Sequence, residues 1–245
     1  MTGMSAILSE RTPAAVLWDM DGTLIDSEPL WLDAELAMLR RYGIELTDEV
    51  RDGLVGSGLR AAAGVFQRLG VPLSTEEIIA EWTAGVIAGL RAAGPQWRPG
   101  AVELLRSLAE AGIPSALVTM AVREIADAVL ALLPEGASFV ASIAGDEVSR
   151  EKPDPEPYLL GAGLLDVPIE ECLALEDSGS GLRAAFASGA VAIGIPNLVD
   201  LTGVPAHELW DSLADVDADR LSQRFRAHAG PRSETTPQTE TGDLA

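Results

Sequence analysis

Cysteine occurs once in this 245-residue chain, at Cys172, and histidine twice, at His207 and His228. A single thiol excludes an internal disulfide framework and a cysteine cage for zinc. Two histidines, both near the C-terminus, argue against a histidine metal site or a Ser-His-Asp triad. Basic residues are scarce as well: 17 Lys and Arg stand against 38 Asp and Glu, a net charge of −21. A field of that sign repels nucleic-acid backbones and anionic membrane surfaces, so neither is expected as a partner. No apolar run approaches the roughly 18 residues that span a bilayer. The opening MTGMSAILSER lacks the basic-then-apolar layout of a secretory signal. The expectation is a cytoplasmic protein whose chemistry, if it is a hydrolase, rests on carboxylates.

What is present is ordinary for a globular protein, with 47% hydrophobic and 22% charged residues. Five short apolar segments, 14–18, 113–118, 139–143, 172–175 and 191–195, read as buried strands. Helical patterns fall between the later ones, at 100–111, 122–132, 155–165 and 179–188. This alternation predicts an α/β fold, a Rossmann-like parallel sheet with helices on both faces. In such sheets ligands bind at the carboxyl ends of the strands.

Between the first two strands the pattern is helical throughout. Leu32, Leu36 and Leu39 share a face, with Pro29 near the start of that helix and Gly43 just past its end. Ser74 to Glu77 reads as a capping box, and Ile79, Trp82, Val86 and Leu90 follow at helical spacing. The expected organisation is a core of residues 1–25 and 96–230, an inserted helical cap over 26–95, and a disordered polar tail over 231–245.

Four places carry the candidate chemistry. The first strand ends in Asp19-Met20-Asp21-Gly22-Thr23, two carboxylates leaving an apolar strand before a glycine turn. The fourth ends in Glu176-Asp177-Ser178-Gly179. Acids at two strand ends of one sheet can converge on a hard cation, and Mg²⁺ takes oxygen ligands at roughly 2.1 Å. Thr119, after the second strand, suits a helix N-cap or a phosphate contact equally. In Lys152-Pro153-Asp154-Pro155, the proline stiffens the backbone that carries the lysine, and Asp154 and Pro155 read as N-cap and first residue of a helix.

In this order, the D-x-D-G-T segment, the strand-end threonine, Lys-Pro and Glu-Asp resemble the four motifs of the haloacid dehalogenase superfamily of phosphotransferases. The resemblance spans about residues 14–215. DMDGTLIDSEPLW, KPDPEPY and ALEDS resemble especially its sugar-phosphate phosphatase and β-phosphoglucomutase branch, which carries a helical cap where this chain has its insert. The resemblance implies Asp19 as nucleophile forming an aspartyl-phosphate, and Asp21 as acid and then base. It implies Mg²⁺ held by Asp19, the Asp21 carbonyl and Asp177, with Glu176 in or beside that set. Thr119 and Lys152 would bind the phosphoryl oxygens, and Arg60, in the glycine-rich stretch 53–60, would reach substrate from the cap or remain a surface arginine. Asp21 argues against carbon–halogen cleavage. Trp31 stands where the mutases have a histidine, which favours a phosphatase of small phosphorylated metabolites. A phosphosugar mutase and a non-catalytic binding protein stay open as alternatives, and a monomer is favoured. Met120, where the family has a small or amide residue, and Glu151, beside Lys152, depart from the pattern.

Overall fold

The computed structural model describes residues 11–45, 47 and 58–230. The expected tail and residues 53–57 of the glycine-rich stretch lie outside them. Six parallel strands form one sheet in the order β5-β4-β1-β6-β7-β8: β1 Ala15–Trp18, β4 Ser115–Val118, β5 Ala141–Ile143, β6 Cys172–Glu176, β7 Val191–Gly194 and β8 Glu208–Leu209. The five expected strands are all present, four of them trimmed and the fourth in sequence extended by one residue to Glu176. The sixth, β8, is a two-residue edge strand too short to carry a period.

The central strands are short apolar runs because both of their faces are covered. Alternation divides their side chains between two layers. Val16, Trp18, Leu117, Leu173, Leu175, Val191 and Ile193 enter one core with α4 (Ala101–Glu110), α5 (Arg123–Leu130) and α8 (Ala218–His228). Ala15, Leu17, Ala116, Val118, Cys172, Ala174 and Ala192 enter the other, against α6 (Glu156–Leu164) and α7 (Gly179–Ser188). The second face is rich in alanine, so α6 and α7 sit close to the sheet. Cys172 is a buried strand residue, and burial pushes its thiol up to about 12.

After β1 the chain leaves through β2 (Ile25–Asp26) and returns through β3 (Gln96–Trp97), and the two pair as an antiparallel ribbon. Between them lie α1 (Glu28–Arg41), α2 (Leu59–Arg68) and α3 (Thr75–Ala93). These helices bury a cluster of their own, with Met38, Leu39, Phe66, Ile78 and Trp82 at its centre. Ser74 opens α3 with the expected capping box, its hydroxyl accepting from the Glu77 amide while the Glu77 carboxylate accepts from the Ser74 amide. Val86 and Leu90, further along α3, join the sheet core, so one long helix ties the two clusters together. No described helix is long and apolar enough to cross a membrane.

Candidate active site

Asp19, Thr119 and Asp177 each follow the last residue of a central strand, β1, β4 and β6. Neighbouring parallel strands bring those three ends together. Asp19 continues the ladder for one more bond, its amide donating to the Leu175 carbonyl at 3.0 Å, and the residue is almost buried at 7% exposure. The chain then folds back on itself, with the amides of Leu24 and Ile25 donating to the Met20 carbonyl. Gly22 makes that turn at φ +88°, and a Cβ there would collide with the Asp177 carboxylate. The glycine therefore serves two ends at once: the turn after β1 and the seat of an acid from β6.

Lys152 is the cation of the site among the described residues that line it. Its ammonium, on a side chain only 3% exposed, donates to Asp19 Oδ1 at 2.8 Å, Glu176 Oε1 at 2.7 Å and the Val118 carbonyl at 2.9 Å. Three strands thus converge on one ammonium. Burial alone would weaken its hold on the proton, but Asp19 and Glu176 outweigh that and raise its pKa. The Lys152–Pro153 peptide is cis. Met120 Sδ accepts from the Lys152 amide at 3.5 Å, and Met120 also lines the cavity.

Glu176 is fully buried and fully bonded. Oε1 accepts from Lys152 and from the Tyr158 hydroxyl at 2.7 Å, and Oε2 accepts from the Ser178 amide and hydroxyl at 3.2 and 3.1 Å. The first turn of α7 presses on this carboxylate, and a Cβ at Gly181 would collide with it. Gly181→Ala is accordingly expected to cost about 2–3 kcal/mol, as overpacking of a closed interior does. Urea unfolding checks this, and an unchanged midpoint would mean that α7 yields freely.

Asp21 lies on the cavity wall. Its Oδ1 accepts from the Ser27 hydroxyl and from Trp31 Nε1 at 3.2 Å, and its Oδ2 from the Thr119 hydroxyl at 3.3 Å. Thr119 is not a helix cap. Its hydroxyl accepts from the Ala121 amide at 3.0 Å in a local turn, and α5 starts later, capped by Val122. The expected cap at Asp154 is likewise displaced: Pro155 is the N-cap of α6, while Asp154 Oδ1 accepts from the Glu156 amide at 3.0 Å.

Oxygen atoms of Asp19, Glu176 and Asp177 lie within 4.8 Å of one another. Burial, then the Glu176 charge, pushes Asp19 up to about 7 against the pull of Lys152. Burial, then Asp19 and Glu176, pushes Asp177 up to about 9. Such crowding of hard oxygen donors is what a divalent cation relieves, so the donor set fits Mg²⁺. Because Glu176 already spends both oxygens on protein donors, Asp19 and Asp177 are the members of the set that line the cavity.

The structure brings Asp19, Asp21, Thr119, Lys152, Glu176 and Asp177 together, and it does not bring Arg60. In α2, Leu59 lines the cavity; Arg60, about 100° further round the helix, is exposed and paired with Glu76 at 3.0 Å. Tyr158, Ser27 and Ser178, which hold the acids, were not singled out in the sequence. Tyr158 stands six residues beyond Lys152, a phenol in a helix that is apolar after its first residue, Glu156. His207 and His228 are outside the cavity lining, packed ring to ring at 5.5 Å.

The profile of the haloacid dehalogenase-like hydrolases matches residues 13–189. Validoxylamine A 7'-phosphate phosphatase of Streptomyces hygroscopicus subsp. limoneus is 30% identical over 88% of this chain and 97% of its own length. Hexitol phosphatase A of Escherichia coli (strain K12) is 34% identical over 73% of this chain and 81% of its own. Among solved structures, CbbY of Rhodobacter sphaeroides in complex with xylulose-(1,5)-bisphosphate superposes with a TM-score of 0.75 at 30% identity, covering 85% of this chain and 99% of that one. The chain belongs to the haloacid dehalogenase-like hydrolases, on their phosphatase branch.

Proposed function

We propose that the chain is a Mg²⁺-dependent phosphatase of small sugar or polyol phosphates that works through an aspartyl-phosphate on Asp19. The observation that carries this reading is the buried Asp19–Lys152–Glu176 network opening, beside Asp177 and Asp21, onto a cavity of about 470 Å³. The similarity to a validoxylamine A 7'-phosphate phosphatase and to a hexitol phosphatase supports the substrate class. A single buried cysteine fits a cytoplasmic setting.

Phosphoryl transfer is a problem of positioning and charge neutralisation. Lys152 fixes Asp19 Oδ1, which leaves the other carboxylate oxygen to attack phosphorus. As that bond forms, the bond to the ester oxygen breaks and its electron pair leaves with the alcohol, which takes a proton from Asp21. In the second half, Asp21 takes a proton from water, the water oxygen bonds to phosphorus, and the acyl-phosphate bond to Asp19 breaks. By the resemblance, Lys152 and Thr119 would receive the phosphoryl oxygens; Lys152 lines the cavity, and the Thr119 hydroxyl is bonded to Asp21. Asp19, Asp177 and the Asp21 backbone carbonyl would hold Mg²⁺, with Glu176 behind them steadying Lys152. When bound, the ion neutralises the carboxylates and the phosphoryl oxygens together.

Residues 26–95 act as a cap on a core formed by the rest of the described chain. The β2–β3 ribbon at its two entry points and its separate apolar cluster support this division. Closing the cap would exclude water from the acyl-phosphate. Trp31, bonded to Asp21, occupies the position where the resemblance places a mutase histidine, which favours hydrolysis.

The test is inorganic phosphate release from a panel of sugar and polyol phosphates, with Mg²⁺ and with chelator. Release that needs Mg²⁺ is expected. Isomerisation that appears only after a bisphosphate is added would replace the phosphatase with a mutase, and no turnover in either assay would leave a binding protein.

A further inference from the structure

We propose that the cap side of the cavity selects substrates by charge: it takes a hydroxyl-rich leaving alcohol with no second anion, and prefers one carrying an ammonium group. This rests on the phosphatase reading and specifies the substrate of the same site. Glu35 and Glu151 are the determinants, with Trp31 as the wall between them.

Glu28, Trp31 and Glu35 recur at helical spacing along α1, so they share the face that lines the cavity. Glu151 enters from the core side, its carboxylate close to Gly58 at the start of α2. The Glu35 and Glu151 carboxylates therefore line the space left for the leaving group from its cap and core sides. Among the described lining residues Lys152 is the one cation, and its bonds to Asp19, Glu176 and the Val118 carbonyl hold it at the strand ends, where it would serve the transferring phosphoryl group and not the leaving group. Arg60, near Gly58, is paired with Glu76, and Arg150, beside Glu151, with Asp154 and Glu156. Nor do Glu28, Glu35 and Glu151 form a second cation site, since the one convergent acid group among the described residues is Asp19, Glu176 and Asp177.

A second phosphate or a carboxylate on the leaving group would thus meet like charge in a partly desolvated space, where repulsion is strong. Sugar hydroxyls, by contrast, donate to carboxylates, and their C–H faces stack on an indole. The Trp31 ring is held for that purpose by its bond to Asp21. Burial and the neighbouring Glu28 charge already push Glu35 up to about 7, a sign of crowded negative charge that an ammonium would relieve.

The experiment uses the 6-phosphates of glucitol, glucamine and gluconate, which share one skeleton and differ only at C1, as hydroxyl, ammonium and carboxylate. With Mg²⁺ at pH 7.5, kcat/KM is expected to be at least about 100-fold higher for the glucitol ester than for the gluconate ester, and highest for the glucamine ester. The double variant Glu35→Gln, Glu151→Gln should compress both ratios by about tenfold or more. Each ratio is internal to one protein preparation, so a loss of folded fraction cancels. Where turnover of these esters is too slow to rank, their Ki values against p-nitrophenyl phosphate hydrolysis give the same order. A flat series in an active enzyme overturns this inference alone. Failure to hydrolyse any ester, p-nitrophenyl phosphate included, overturns the phosphatase reading and this inference with it.

Discussion

Asp19→Asn is expected to lower phosphate release by about four to six orders of magnitude, the scale seen when a covalent catalyst loses its nucleophile. The substitution keeps the shape of the side chain and one oxygen for Lys152, whose ammonium retains Glu176 and the Val118 carbonyl as partners. What it removes is the second anionic oxygen that would attack phosphorus, together with one carboxylate of the acidic cluster. The fold should survive. Asp19 raises the pKa of Asp177, so neutralising Asp19 relieves Asp177, and unfolding in chelator should show the variant as stable as the parent or more so. Acid-quenched protein from a single turnover of a ³²P-labelled ester separates a lost nucleophile from a lost metal site. The parent should carry a label released by hydroxylamine, the mark of an acyl-phosphate, and the variant none. Label on the variant, or turnover within tenfold of the parent, would move the nucleophile elsewhere.

That Asp19 could be singled out in the sequence has a physical basis. Strands buried on both faces are written as short apolar runs, and all their carboxyl ends point the same way. Acids that follow two such runs must therefore meet if the strands are neighbours, as β1 and β6 are. Lys152 was legible through the stiff proline segment that carries it. Features that depend on which way a helix is turned were not. Periodicity located α1 and α3 but not α2, nor how any of them is turned against the core, and it is Leu59, not Arg60, that faces the cavity. The same rotation places Glu35 beside the site, although in sequence it is one glutamate among many. Two-residue strands such as β2, β3 and β8 carry no pattern, yet the first two close the ribbon at the root of the helical insert. Thr119 illustrates a different limit. A hydroxyl after a strand can cap a helix or face a carboxylate, and the distance to the next helix decides between them. Here α5 begins four residues later, and the hydroxyl turns to Asp21.

Lys152→Met removes the cation and keeps the packing of its stem, and two large losses should follow. The first is activity, by at least about a thousandfold, because Asp19 loses its positioning bond and the phosphoryl oxygens lose their one cationic side chain among the described lining residues. The second is stability, by about 3–5 kcal/mol near neutral pH, the cost of leaving buried charge without its partner. The sign of the pH dependence tells the two causes apart. A carboxyl whose pKa is raised on folding holds more protons in the folded state, so its contribution is most favourable at low pH and is lost as pH rises through the folded value. For Asp19 and Asp177 in the parent without metal, that loss runs from about 4 up to about 7 and about 9 respectively. Taking away Lys152, which holds Asp19 down, pushes that carboxyl higher and steepens the loss. Lys152 itself, raised by its acids, contributes stability that is present throughout this range and fades only in strong alkali. Unfolding in urea with chelator at pH 5.5, 7 and 8.5 should therefore show the gap between variant and parent widening with pH. A gap that is constant across the three would reduce Lys152 to a packing residue and leave the acids to be neutralised by something else.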